Sequence, residues 1–248
     1  DEKMRKEDKD FLKDRKSMRE KGFFMVETPK ILAEADDCGM RPEKFFYSEN
    51  APVVAVKYAQ KFPNAEKVRR ADIDKFSEIE SNQGFLAVFK APECSVKSMA
   101  GPMVLLDTVQ DPSNVGAIIR SGVAFGFENF LLLNSASCYS EKAVRASAGS
   151  VFKAKCRPVS MKEAEEALRD REVLVTDVGG GEQINAAVLK KMKDPVVVLG
   201  SEGKGVSARI KSMASRKVNI GINPKVESLN VAAAAAIIFY ELSRQDKS

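Results

Sequence analysis

Between Met103 and Ile222 the chain carries five short segments that are predominantly apolar: MVLLD, FLLLN, EVLVTDV, PVVVLG and KVNIGI. A strand with one face in water alternates polar and apolar residues, whereas a strand buried on both faces reads as a nearly continuous apolar run. Such strands need cover above and below, and the stretches between them supply it. Asp111–Gly126, Ser140–Gly149, Lys162–Asp170, Ile184–Met192, Val206–Ala214 and Ser228–Leu242 all read as helical. This alternation specifies an α/β fold built on a parallel sheet with helices on both faces. No apolar run approaches the roughly 20 residues of a membrane helix, so no membrane partner is expected.

The first half alternates as well, less strongly. GFFMVE, KFFYS and GFLAVFK are strand candidates, and Pro29 suits the first turn of a helix that runs to about Asp37 and closes at Gly39. Ala51–Lys61 reads as helical, and KVRRADIDKFSEI as a short strand followed by a helix from about Asp72. Residues 3–21 alternate Lys/Arg with Asp/Glu and contain few apolar residues, which reads as a solvated, salt-bridged helix. The stretch APECSVKSMAGP, with two prolines, a glycine and several small polar residues, reads as a linker. It divides a smaller α/β domain, residues 1–95, from a larger one, residues 103–248. A chain of 248 residues is long enough for two real cores.

Composition narrows the chemistry. The chain has no histidine, which removes Ser-His-Asp and Cys-His nucleophile systems, imidazole metal sites and the commonest general base. The four cysteines, Cys38, Cys94, Cys138 and Cys156, form no C-x-x-C pair and read as reduced, mostly buried thiols, with no metal site expected. That usage, with no signal peptide in the sequence, points to the cytoplasm, or to a mitochondrial or other organellar interior if a presequence has been removed. A net charge of +5 permits a nucleic-acid partner without demanding one. Catalysis is left to carboxylates, Lys, Arg, Tyr, hydroxyls, or a cofactor that brings its own reactivity.

Three clusters carry that chemistry. In DPSNVGAIIRSGVAFG, Asp111 is a good N-cap, Pro112 a good first helical residue and Gly126 a good C-terminal stop. Gly116 is the anomaly, because an interior glycine costs about 1 kcal/mol relative to alanine. Something must approach the backbone there. Arg120, set among small and apolar residues, needs an anionic partner, and a helix–helix ion pair is one way to supply it. In LGSEGKGVS an apolar strand runs straight into Gly200, Gly203 and Gly205, at the strand end where α/β sheets bind ligands. Glu202 in that loop is placed to orient a substrate or accept a proton. In NPKVESLNV, Ser228 can cap a helix starting at Leu229, with Asn230 in its first turn. A fourth glycine-rich stretch, VTDVGGGEQ, has Ile184 where the third glycine of a dinucleotide-binding loop belongs, and reads as a turn.

Taken together, in this order and spacing, the three clusters resemble the SpoU/TrmH family of S-adenosylmethionine-dependent RNA ribose 2′-O-methyltransferases, within the SPOUT superfamily. Asn114, Gly116 and Arg120 match its N-x-G-x-x-x-R motif. Gly200, Glu202, Gly203 and Gly205 match its G-x-E-G-x-G loop, and Glu227–Val231 its E-S-L-N-V helix start. The first half resembles the substrate-binding domain, similar to ribosomal protein L30e, that often precedes this catalytic domain.

The resemblance implies a SPOUT domain whose C-terminal part is threaded into a deep trefoil knot, and a homodimer with the site near the subunit interface. It implies S-adenosylmethionine bound in the knot by Gly200, Gly203, Gly205, Ile220 and Leu229. Asn114 and Arg120 would hold the ribose and phosphate of the target nucleotide. Gly116 would admit RNA or the partner subunit, and Glu202, Ser228 and Asn230 would complete the polar shell. The general base is open between Arg120 and Glu202, because a guanidinium with a pKa above about 12 is hard to deprotonate. The implied substrate is RNA, with ribosomal RNA first and transfer RNA second; the alternative is a catalytically inactive RNA-binding protein on the same fold. The sequence departs from the family where Gly221 follows Ile220 in place of proline, where Pro224 replaces a glycine, and where Ala232 replaces a serine.

Overall fold

The structure, a computed structural model, describes residues 2–177, 179–189 and 192–244. The charged N-terminal stretch is two helices, α1 (Lys6–Lys13) and α2 (Arg15–Glu20), parted at Asp14, whose carboxylate accepts from the Ser17 N–H and caps α2. It is not wholly solvated: Met4, Leu12 and Met18 are buried against the small sheet. These apolar residues are too sparse to register as a pattern among so many charges.

The small sheet contains β1 (Phe23–Val26), β2 (Lys44–Tyr47), β3 (Ala65–Lys67) and β4 (Phe85–Lys90), in the order β1-β4-β2-β3. Helices α3 (Pro29–Asp37), α4 (Val53–Ala59) and α5 (Arg70–Phe76) connect them. β4 sits inside the sheet, antiparallel to β1 and β2, which is why five of its six residues are buried. Helix α5 begins at Arg70, slightly before the expected start, and tucks Asp72 inward to accept the Met4 N–H.

The second half builds a seven-stranded sheet in which every pairing is parallel. Its first part runs β5 (Met103–Asp107), α6 (Pro112–Ala124), β6 (Asn129–Leu133), α7 (Glu141–Ala146), β7 (Lys155–Val159) and α8 (Met161–Leu168). Its second part runs β8 (Val173–Thr176), β9 (Glu182–Gln183), α9 (Ala186–Leu189), β10 (Val196–Gly200), α10 (Ala208–Lys211), β11 (Arg216–Asn219) and α11 (Val231–Ser243). The strand order is β7-β6-β5-β10-β8-β11-β9, so β10 lies between β5 and β8, and β11 between β8 and β9. Of the expected helix Ile184–Met192, the described residues show α9, with Ile184, Asn185 and Met192 non-helical; residues 190 and 191 lie outside the described residues, as does Val178 of the glycine-rich turn.

Strands β7 and β9 were not expected. β7 reads KCRPV, with buried residues only at Cys156 and Val159. It forms one edge of the sheet, where Pro158 costs nothing because no further strand asks for its missing N–H. The apolar pattern that marks a central strand is therefore absent. β9 has two exposed residues and offers no signal at all.

Two ends are cut sharply by local chemistry. Ser160 and Glu163 form a capping box that starts α8. At the end of α6, the Phe127 N–H donates to the Gly122 carbonyl and the Gly126 N–H to that of Val123, with Gly126 at φ +90°. This is a Schellman closure, as the glycine at 126 indicates. The core runs unbroken between the halves. Phe24 of β1 stacks on Tyr139 with ring centroids 5.0 Å apart, and Phe89 and Phe152 extend the contact to 6.0 Å neighbours. Lys153 reaches back to Glu34 of α3 at 3.2 Å.

Candidate active site

Strands β5 and β10 run side by side, with Asp107 opposite Gly200 at their carboxyl ends. From β5 the chain leads into α6; from β10 it enters the glycine loop. That loop folds back on itself: Ser201 and Gly205 form a bridge, with the Gly205 N–H donating to the Ser201 carbonyl at 2.9 Å. A Cβ at Gly200 would collide with the Gly205 carbonyl group and the Val206 nitrogen. Gly200 is thus required by the loop's own return. Gly203 meets nothing within 4 Å and Gly205 has φ +66°, so both are free on their outer side.

The fold brings three predicted side chains together. The Asn230 Nδ2 group donates to Glu202 Oε1 at 2.9 Å and to Asn114 Oδ1 at 3.0 Å, and Asn114 Nδ2 donates to Glu202 Oε1 at 3.3 Å. The polarity of this network is set by α11. Asn230 is the N-cap of that helix, its Oδ1 accepting from the Ala232 and Ala233 N–H groups at 2.9 and 3.3 Å. The cap demands the amide oxygen, so the amide nitrogen must face Glu202 and Asn114. The Glu202 carboxylate, 3.5 Å from the Val231 N–H, sits at the positive end of the helix dipole. This corrects the expected helix start: α11 begins at Val231, and the cap is Asn230, not Ser228. Serine and asparagine cap equally well, so sequence alone could not choose between them.

Glu202 of this trio also lines a cavity of about 740 Å³. Gly200, Gly203, Gly205, Ile220 and Leu229, the five residues expected to bind cofactor, all line it, as do Glu202 and Ser228. Its apolar wall includes Leu199, Val218 and Ile238. Asp177 and Lys211 place one charge of each sign on the lining, 3.1 Å apart. The hydrogen bond from Lys211 holds the Asp177 carboxyl below its usual range, with the Gly179 N–H helping. At the departure Gly221, the end of the Gln183 side chain lies where a Cβ would be, a contact that the flexible glutamine can give way to.

One expectation and one alternative fall. Gly116 does not open α6 to RNA or to a partner subunit. A Cβ there would come within 2.7 Å of Ala146 Cβ and 2.9 Å of the Ser147 nitrogen, and closer still to the Ala143 carbonyl oxygen. The body that approaches the backbone is α7 of the same chain. Arg120 forms no intramolecular ion pair among the described residues. It is exposed, six residues beyond Asn114, and does not join the trio. An i,i+6 separation puts the two side chains about 120° apart around the helix, given 3.6 residues per turn. Ser228 likewise makes no hydrogen bond with the described residues.

Sequence reasoning missed Asp107. Its side chain is buried to 1% exposure, accepting from the Ser207 N–H at 2.8 Å and the Thr108 hydroxyl at 3.0 Å. The only sequence signal is an acid ending an apolar strand. Asp111 was found as a cap, and accepts from the Ser113 N–H at 2.9 Å and Lys142 at 3.1 Å, which hold its carboxyl below the usual range.

No helix among the described residues is long and apolar enough to cross a membrane. Comparison with known proteins places the site in a family. A model of the SpoU rRNA methylase family matches residues 101–240. An uncharacterized tRNA/rRNA methyltransferase of Mycobacterium avium is 31% identical over 190 residues; the match covers 72% of this chain and 62% of the relative, so the chain spans less than two thirds of its length. A putative RNA methyltransferase of the TrmH family from Porphyromonas gingivalis has a TM-score of 0.80 at 27% identity, covering 98% of this chain and 100% of that one. The SpoU methyltransferase AviRb of Streptomyces viridochromogenes, solved in complex with the cofactor AdoMet, shares the fold at a TM-score of 0.84 and 23% identity, covering 98% and 99% of the two chains. With more than half of its length matched by the family model, and with all three motif clusters brought to one end of its parallel sheet, the chain belongs to the SpoU rRNA methylase family.

Proposed function

We propose that this protein is an S-adenosylmethionine-dependent methyltransferase that modifies a ribose 2′-hydroxyl in structured RNA, with ribosomal RNA the first candidate substrate and transfer RNA the second. One observation carries the reading: Asn114 of α6 and Asn230, the cap of α11, converge on Glu202 of the glycine loop, and Glu202 lines the cavity.

The cavity suits the cofactor. Its volume of about 740 Å³ lies in the ordinary range for small-molecule sites. Leu199, Val218, Ile220 and Ile238 offer an apolar wall to an adenine ring, and Asp177 and Lys211 match the ammonium and carboxylate of an amino-acid tail. Bound there, the cofactor supplies an electrophilic methyl group on a sulfonium. The chain's own residues orient the acceptor. Asn114 and Asn230 fix Glu202 through Oε1, which leaves Oε2 to receive the proton of the 2′-hydroxyl. Arg120, exposed and free of protein partners among the described residues, holds a backbone phosphate through its planar fork. Positioning of this kind is worth about 7–11 kcal/mol of barrier.

Three further features belong to this reading. The insertion of β10 and β11 between strands formed earlier in the chain supports the threading of the C-terminal segment into a trefoil knot. Helix α11 exposes Ile237 (38%) and Tyr240 (47%). Apolar residues left open in this way support a homodimer that covers them. Residues 1–95, with their own sheet, serve as the RNA-binding domain.

The test is methyl transfer from isotopically labelled cofactor to ribosomal and transfer RNA, followed by digestion to nucleosides and mass spectrometry. The label is expected on ribose. Label on a base overturns the 2′-O assignment, and RNA binding without label indicates an inactive binder.

A further inference from the structure

We propose that Asp107 is a positioning residue that locks the glycine loop to the strand from which the Asn114 helix departs. The inference rests on the methyltransferase reading for its functional consequence, and on hydrogen bonds alone for its structural one.

Asp107 is the last residue of β5 and lies opposite Gly200, the last residue of β10. Its two oxygens have different partners. Oδ2 accepts the backbone N–H of Ser207, the residue that ends the glycine loop and precedes α10, at 2.8 Å. Oδ1 accepts the hydroxyl of Thr108 at 3.0 Å. Thr108 stands at φ +63°, a conformation that β-branched residues avoid, with its N–H donated to the Leu133 carbonyl at 2.9 Å. The chain therefore turns at Thr108 under strain held by neighbours on two strands, and reaches Asp111 and α6 from there.

The consequence is geometric. Asn114 approaches the trio from the Thr108 side, and Glu202 from the loop that Ser207 closes. Asp107 ties the bases of both approaches, through Thr108 on one side and Ser207 on the other. A buried carboxylate with no countercharge hydrogen-bonded to it among the described residues costs folding energy that a neutral or apolar residue would not. Its placement is accounted for by the loop it holds. Asparagine can keep the Ser207 bond through its oxygen and donate to the Thr108 hydroxyl, which accepts as well as donates. Alanine keeps neither bond.

The experiment compares Asp107→Asn, Asp107→Ala and Ser207→Pro, the last removing the N–H donor at a position whose φ of −58° proline accepts. Two readouts are taken well below the unfolding midpoint: amide hydrogen exchange of residues 201–207 without cofactor, and affinity for S-adenosylmethionine by calorimetry. Asp107→Ala and Ser207→Pro are expected to speed exchange in the loop and weaken cofactor binding, each by about tenfold, while Asp107→Asn stays within about threefold of wild type. If Asp107→Ala fails to fold, Ser207→Pro carries the test. Unchanged loop exchange in folded Asp107→Ala or Ser207→Pro overturns the proposal, as does an Asp107→Asn defect equal to that of alanine. A wild-type protein that ignores S-adenosylmethionine overturns the methyltransferase reading instead, and the exchange data then decide the role of Asp107 alone.

Discussion

Replacing glycine by alanine inside a helix ordinarily stabilises it by about 1 kcal/mol. At Gly116 the sign should reverse. The new methyl would lie 2.7 Å from Ala146 Cβ and 2.9 Å from the Ser147 nitrogen, and would overlap the Ala143 carbonyl oxygen. Two of these three atoms are backbone of α7 and have no rotamer to move to. Overpacking costs about 1–3 kcal/mol. Contact with backbone on one side puts Gly116→Ala near the top of that range, leaving a net loss of about 2 kcal/mol once the helix gain is subtracted. For a chain of this size that is a fall in Tm of about 4–8 °C, read by circular dichroism. Gly203→Ala is the control, since it meets nothing within 4 Å and has no positive φ; it should stay within about 0.5 kcal/mol. The same displacement of α6 moves Asn114, so methyl transfer by Gly116→Ala should fall at temperatures where it is fully folded. A Gly116→Ala protein as stable as wild type, or more so, would refute the close-crossing account of this glycine.

The other consequences are separable. Asn230→Ala should lose about 1 kcal/mol through the missing cap, whereas Asn230→Asp keeps the cap but sets a second carboxylate against Glu202 in place of two donated bonds, and should lower both Tm and turnover at neutral pH. Glu202→Gln should lower kcat with little change in stability; full activity would remove Glu202 as proton acceptor. Arg120→Ala should leave Tm unchanged and raise KM for RNA, with the salt dependence of RNA binding reduced by about one phosphate contact; an unchanged salt slope would place Arg120 off the phosphate path. The Asp177 carboxyl is depressed by Lys211, so it stabilises the fold above the unfolded aspartate value of about 3.9 and loses that contribution as pH falls through the lower folded value. Asp177→Asn should therefore lower Tm at neutral pH and flatten its decline below about pH 4, measured by thermal melts across pH.

Much of the larger sheet was legible because burial on both faces forces a continuous apolar run, as in Met103–Asp107 and Val196–Gly200. Edge strands escape that constraint, which is why β7, with Arg157 and Pro158, left no trace. The trio was legible as residue types at fixed spacing. Its wiring was not, because the choice of Asn230 over Ser228 as cap depends on where Glu202 lies in three dimensions. Gly116 shows the same limit from the other side. Its sequence context announces a close approach but carries no information on whether the neighbour is RNA, a partner or α7. Asp107 is hidden for a related reason: its partner, Ser207, is 100 residues away and contributes a backbone N–H, which no side-chain pattern records.

The most direct measurement is a calorimetric titration of the protein with S-adenosylmethionine, alongside Gly200→Ala, whose added Cβ must push the Gly205–Val206 backbone out of place. The account predicts one saturable site per chain, with a Kd on the order of micromolar, lost or greatly weakened in a Gly200→Ala protein that still folds. Absence of binding to the wild-type protein, or equal binding to a folded Gly200→Ala, would contradict the assignment of the glycine-loop cavity as the cofactor site.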